Sequence, residues 1–226
     1  MIYALGDLHL DYTKAKSMDI FGNNWKNYEE KIFDNLSKLN NDDILLIPGD
    51  ITWAMQMDEA YIDLKRIDEM PAQKILTRGN HDYWWGGISK LRKLDLKSIS
   101  FIQNDSIEFT DLNICGSRGW LDPSNKEATE KDAKIFEREI LRVKMSLGSV
   151  KNDNEIIMML HYPPFDINKK PNELFNCLKE YNVTDLVYGH LHGYGHINIV
   201  EGLIDGINVH CVSSDYINFN AKLIRK

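Results

Sequence analysis

Five short apolar runs, each closed by residues able to bind a cation, set the tightest limits on how this chain can fold. Ile2–Leu5 runs into Gly6-Asp7-Leu8-His9, Ile44–Ile47 into Pro48-Gly49-Asp50, and Lys74–Thr77 into Gly79-Asn80-His81-Asp82. Ile156–Leu160 runs into His161, and Leu186–Tyr188 into Gly189-His190-Leu191-His192. Runs of this length, rich in leucine and β-branched residues, read as buried strands. The stretches between the first three carry helical periodicity. Trp25, Tyr28, Ile32, Leu36 and Leu39 recur at spacings of three and four, with Asn23 or Asn24 placed to cap the start. Tyr61, Leu64 and Ile67 draw a second apolar face, with Asp58 at its start and Pro71 as its stop. Strand–helix–strand alternation requires parallel strands joined by crossovers.

The middle of the chain changes rhythm. Ile99–Ile102, Ile107–Phe109 and Asn113–Cys115 lie close together and read as a meander. A long helix is expected from about Glu127 to Leu147, with Ser124 and Glu127 as a capping box and Gly148 as the C-terminal cap. A further helix carries Leu174, Phe175 and Leu178. The tail segments Ile197–Val200, Ile207–Val212 and Tyr216–Phe219 read as antiparallel strands. There are more strands here than one sheet holds comfortably. The expected class is α/β: two packed mixed β-sheets, a β sandwich, flanked by α-helices on both sides. No repeat or linker-like tract interrupts the chain, so residues 1–226 read as one domain.

Composition narrows the function classes. The formal net charge of −7 offers no basic surface for long nucleic acids. No apolar run approaches the roughly 20 residues of a membrane span, and no signal-peptide pattern opens the sequence. The expected location is therefore cytoplasmic. The three cysteines, Cys115, Cys177 and Cys211, are widely spaced and odd in number, so buried free thiols are expected rather than a disulfide framework or zinc knuckle.

In open α/β sheets the carboxyl ends of parallel strands converge on one crevice. If the five runs lie side by side, two aspartates, one asparagine and up to five histidines meet there. Mixed oxygen and nitrogen donors without a thiolate suit Mn, Fe, Zn or Co. The ordered series of five blocks, spanning residues 6 to 192, resembles the calcineurin-like metallophosphoesterase superfamily. That resemblance implies a two-sheet sandwich with two divalent or mixed-valence metal ions (Mn, Fe or Zn). One is held by Asp7, His9, Asp50 and His192, the other by Asp50, Asn80, His161 and His190, with Asp50 bridging. It implies that His81 acts beside the leaving group as a proton donor or charge stabiliser, with Asp82 orienting it. The activity implied is hydrolysis of a phosphomonoester or phosphodiester. Two cations about 3.5–4 Å apart can hold a bridging hydroxide that attacks in line.

Other residues are weighed individually. Arg118, between Gly116-Ser117 and Gly119-Trp120, is a candidate substrate-phosphate clamp, against the alternative of a surface arginine. Trp53, Trp84, Trp85 and Trp120 either wall the site for a planar leaving group or pack beneath its loops. His196 and His210 fall outside the blocks and read as structural. The protein Ser/Thr phosphatases of the superfamily carry an Asp-Arg-Gly sequence shortly after the second block, where this chain has Gly49-Asp50-Ile51-Thr52-Trp53. That departure points away from protein substrates and toward a small-molecule or nucleotide phosphate ester. A nuclease or cyclic-nucleotide phosphodiesterase uses the same donors and stands as the alternative. An inert protein-binding scaffold is disfavoured, because every ligand position is filled.

Overall fold

The computed structural model describes residues 1–16 and 18–226, all but Ser17. In chain order the elements are β1 (Ile2–Ala4), α1 (Tyr28–Leu36), β2 (Ile44–Pro48), α2 (Met57–Asp68), β3 (Gln73–Thr77), α3 (Ile88–Leu91), β4 (Ile99–Phe101), β5 (Ser106–Glu108) and β6 (Leu112–Ser117). Then follow α4 (Glu130–Gly148), β7 (Glu155–Leu160), α5 (Glu173–Leu178), β8 (Val183–Tyr188), β9 (Gly202–Ile204), β10 (Ile207–Cys211) and β11 (Lys222–Arg225). Two mixed sheets result. A five-stranded one is ordered β11-β1-β2-β3-β4, and a six-stranded one β5-β6-β7-β8-β10-β9. Strands β1 to β4 are mutually parallel, as are β6, β7, β8 and β10; β5, β9 and β11 run antiparallel at the edges.

The period of two along each strand explains the layering. Leu46, Ile75, Ile157, Met159 and Val187 point into the gap between the sheets and form its shared core. Their sequence neighbours Leu45, Ile47 and Leu76 face outward against Ile32 and Leu36 of α1 and Leu64 and Ile67 of α2. On the other side Ile156, Met158 and Leu160 meet Phe136, Val143 and Leu147 of α4 and Leu174 and Leu178 of α5. Burying each such aliphatic side chain contributes about 1.5–3 kcal/mol. The three cysteines are free and buried. Among the described residues no helix is long and apolar enough to cross a membrane.

Several local expectations are corrected. The proposed meander is split: β4 pairs with β3 in the first sheet, whereas β5 and β6 open the second. Helix α1 starts late, at Tyr28, because Asn23–Trp25 forms a separate 3-10 turn and Asn27 takes a left-handed conformation (φ 53°). Helix α2 begins after Gln56, whose N–H is accepted by Glu59 rather than being organised by Asp58. The capping box of α4 is Thr129 with Asp132, not Ser124 with Glu127. In the tail, Gly193–Asn198 winds as a 3-10 helix and Tyr216–Phe219 forms turns. The last strand is instead Lys222–Arg225, laid antiparallel on β1.

Candidate metal centre

All five sequence blocks meet at one rim of the sandwich, because each follows the carboxyl end of a parallel strand. Asp7 and His9 follow β1, Asp50 follows β2, Asn80 and His81 follow β3, His161 follows β7, and His190 and His192 follow β8. Asp7, His9, Asp50 and His190 all hold positive φ, at 56°, 46°, 51° and 75°. Such residues cost on the order of 1–3 kcal/mol each and concentrate at functional sites.

Asp50 occupies the middle. Its Oδ2 lies 3.7 Å from His9 Nε2 and 3.5 Å from His161 Nε2. Its Oδ1 accepts the backbone N–H of His81 at 2.8 Å. On one side His9 Nε2 faces His192 Nε2 at 3.3 Å, and Asp7 Oδ1 lies 3.6 Å from His192 Nε2. On the other, Asn80 Oδ1, His161 Nε2 and His190 Nδ1 stand 2.7, 3.0 and 3.2 Å from one another. Donor atoms of Asp7, His9 and His192, and again of Asp7, Asp50 and His161, fall within 4.8 Å of each other. The glycine before the third block is required by space. A Cβ on Gly79 would lie 2.1 Å from Asp50 Oδ1.

The chemistry of these donors fits cations. His161 Nδ1 faces the Pro48 carbonyl at 3.0 Å, which assigns the hydrogen to Nδ1 and leaves a lone pair on Nε2. That lone pair points at an amide oxygen and another imidazole nitrogen, a repulsive arrangement that a cation relieves. Burial, then the charges of Asp82 and Asp7, pushes the Asp50 carboxyl well above its ordinary value. Burial, then neighbouring imidazoles, holds His9 and His190 well below theirs. His192 is the exception: burial works against its charge, but Asp7 and Asp215 raise it to about 10. A cation held by His192 would compete with that proton.

Residues expected in supporting roles are placed differently. Asp82 is fully buried and does not orient His81. One carboxylate oxygen accepts the N–H groups of Asp50 (2.9 Å) and Gly79 (2.8 Å). The other takes those of Ile51 (2.9 Å) and the Trp84 indole (3.1 Å). Asp82 therefore pins the loop that carries Asp50. The His81 ring lies 4.5 Å from the Trp53 ring and 6.2 Å from Tyr83, and its Nδ1 is buried without a hydrogen-bond partner. Burial, followed by the charge of His161, lowers it to about 4. Trp53 stacks on His9, with ring centroids 4.8 Å apart. Trp84 and Trp85 are buried core residues, and Trp120 packs on Tyr162 at 5.2 Å. His210 pairs with Asp185 at 3.3 Å, away from the cluster.

Two contributors went unnoticed in the sequence. Asp215 Oδ1 lies 2.8 Å from His192 Nδ1, and its Oδ2 accepts the Gly193 N–H at 3.0 Å and sits 3.1 Å from His196 Nε2. It follows β10, which is parallel to β8, so it reaches the same rim. The signal was weak: Ile207–Val212 alternates apolar residues with Asn208 and His210, and Asp215 follows only after Ser213 and Ser214, with no glycine between to mark it. Lys16 is the other: its Nζ lies 4.9 Å above the Trp53 ring. Asp215→Ala is expected to weaken divalent-cation binding about 10–100-fold, as loss of an imidazole-orienting carboxylate does. Asp215→Asn, which still accepts from Nδ1, should lose less. Calorimetric titration with Mn²⁺ checks the order, and equal affinities in all three proteins would remove Asp215 from this role.

Residues 1–194 match the family model described as calcineurin-like phosphoesterase. Among solved structures, a phosphopantetheinyl hydrolase from Mycobacterium tuberculosis is similar in fold. It is 16% identical, with 99% of this chain and 96% of that chain covered and a TM-score of 0.59. A protein of unknown function from Aquifex aeolicus is 21% identical over 98% of this chain and 94% of that one, with a TM-score of 0.45. A search of curated proteins gives no match.

Proposed function

The chain belongs to the calcineurin-like phosphoesterase family, and from that premise we propose that it hydrolyses a phosphomonoester or phosphodiester using two cations held on either side of Asp50. The observation that carries this reading is the place of Asp50 Oδ2, within 3.7 Å of His9 Nε2 and 3.5 Å of His161 Nε2. Asp7, His9 and His192 would complete one cation's donors, and Asn80, His161 and His190 the other's. Mn, Fe and Zn all suit this donor set. When bound, such a pair acidifies water and draws charge from the phosphoryl oxygens.

The protein's own groups do the rest. Asp82 and the His81 N–H hold both ends of Asp50, so the carboxylate needs no reordering as the substrate arrives. Asp215 fixes the ring of His192. Trp53 shields His9 from water on one face. His81, kept neutral by burial, offers a ring N–H to the departing oxygen. A cavity of about 510 Å³ opens beside the cation site, between Tyr162 and His190 on one side and Asp122, Lys126 and Asp166 on the other. Its size suits a small-molecule or nucleotide leaving group. The core shared by both sheets supports treating residues 1–226 as one catalytic domain.

The test is turnover of 4-nitrophenyl phosphate and bis(4-nitrophenyl) phosphate in Mn²⁺. Activity on at least one is expected, with its loss after chelation and its return when Mn²⁺ is restored. Equal turnover before and after chelation would sink the cation-dependent reading. The ratio between the two esters decides mono- against diesterase preference.

A further inference from the structure

Beside the cation site lies a cleft whose charges are not neutralised. Arg78 directly follows β3 and Arg118 directly follows β6. These strands belong to different sheets, yet they touch where they end. A Cβ on Gly116 would lie 2.5 Å from Thr77 Cγ2. That close approach brings Arg78 and Arg118 together as walls of a cleft of about 70 Å³, completed by Asn104, Ser117, Glu139 and Arg142. The volume admits one small group.

Glu139 is the carboxylate lining this cleft, and it is already engaged. It accepts from Ser117 Oγ at 2.9 Å and from the Gly119 N–H at 3.2 Å, and it pairs with Arg142. Arg118 Nη2 stands 3.7 Å away. Among the described residues Arg78 makes no ion pair, and its Nε is buried without a hydrogen-bond partner. Three guanidiniums against one carboxylate leave the cleft positive. Burial lowers the Arg118 pKa, Glu139 opposes this, and the Arg78 charge lowers it further, so the two arginines repel each other as they stand. Arg118 nonetheless has a fixed neighbour: its Cζ lies over the Trp120 ring, 4.2 Å from the centroid, and the Trp120 indole donates to Asp132 at 3.0 Å. A fixed planar fork of this kind suits a tetrahedral oxyanion.

The cleft is separate from the cation donors but adjoins them. Arg78 precedes Asn80 by two residues, and the Arg118 carbonyl accepts the N–H groups of His161 at 3.0 Å and Tyr162 at 3.1 Å. None of the candidate cation ligands lines the cleft. An anion held there is therefore not the one that reacts over Asp50.

We propose that Arg78 and Arg118 bind a second phosphate group of the substrate, which makes the substrate class doubly phosphorylated small molecules rather than simple monoesters. The inference rests on the hydrolase reading above. It is tested with esters that differ by one phosphate: nucleoside 5′-monophosphates against 5′-diphosphates and 3′,5′-bisphosphates, in saturating Mn²⁺. At least one doubly phosphorylated member should exceed its monophosphate in kcat/KM by roughly 30-fold, the worth of one or two charge-assisted hydrogen bonds. Arg78→Gln should collapse that ratio, and Arg118→Lys, which keeps the charge and the stem but loses the fork, should reduce it. Thermal unfolding confirms that each variant is folded. A ratio near one in the unaltered protein, or a ratio that survives both substitutions, overturns the subsite while leaving 4-nitrophenyl phosphate turnover, and the hydrolase reading, intact. If no phosphate ester of any kind is turned over, the hydrolase reading falls, and this inference falls with it.

Discussion

Asp50→Asn is expected to lower kcat/KM for 4-nitrophenyl phosphate by roughly 10³-fold or more, beyond the 10–100-fold typical of partners one step removed from a cation. The substitution keeps the size of the side chain and leaves the backbone bonds to Asp82 intact, so the fold should survive. What changes is the pattern of lone pairs. Oδ1 accepts the His81 N–H, while Oδ2 points between His9 and His161. An amide can keep its oxygen toward His81 only by turning its NH₂ toward the imidazoles, where a cation needs a donor of electrons. In the opposite orientation the NH₂ opposes the His81 N–H instead. Either way one contact becomes repulsive. The measurements are steady-state kinetics, elemental analysis of bound cations and circular dichroism. A folded Asp50→Asn protein with full cation content and undiminished turnover would remove Asp50 from the centre of the site.

Gly79→Ala should be nearly as damaging although it adds only a methyl group. The new Cβ would meet Asp50 Oδ1 at 2.1 Å, Asp50 N at 2.2 Å and Asp50 Cγ at 2.8 Å. No rotamer change escapes a clash with backbone, so the whole Asp50 turn has to move. Overpacking of this sort destabilises by about 1–3 kcal/mol. The same displacement carries Asp50 away from His9 and His161, and a loss of roughly 100-fold or more in kcat/KM is expected from misplacement on the ångström scale. Gly86→Ala is the control, since a Cβ there meets nothing within 4 Å. It should alter neither melting temperature nor turnover. Comparable effects from the two substitutions would mean that the crowding around Gly79 is not what positions Asp50.

Much of the convergence could be read from the sequence because the candidate ligands obey a positional rule. Each follows the end of an apolar run, and parallel strands align those ends at one rim. Asp7, Asp50, Asn80, His161 and His190 are gathered by the sheets alone, before any side-chain chemistry is considered. Asp215 escaped because it follows β10, a strand that neither block nor glycine flags. Asp82 was misassigned for a related reason. Its neighbour His81 is close in sequence, whereas the amides it serves at Asp50 and Ile51 are close only in space. Fold-level errors had a different origin. The segments from Ile99 to Cys115 carry correct strand signals, but pairing partners are tertiary information, and the chain changes sheets between β4 and β5. Two Ser/Thr-x-x-acid patterns precede the long helix, at Ser124 and Thr129, and local sequence does not rank them. Strand β11 was overlooked because Lys222 and Arg225 dilute its apolar alternation, as is common where an edge faces water.

The pairing of β11 with β1 has a consequence for how the molecule comes into being. Strand β1 is flanked by β2 on one side and by a segment more than two hundred residues downstream on the other. During synthesis, then, β1 must wait on the ribosome with one row of amide and carbonyl groups unmet until the β11 segment has emerged. Parallel, long-range topologies of this kind fold slowly and leave strand edges open to wrong partners in the interval. The charged residues of β11 thus close an edge that a nascent chain would otherwise leave open to self-association.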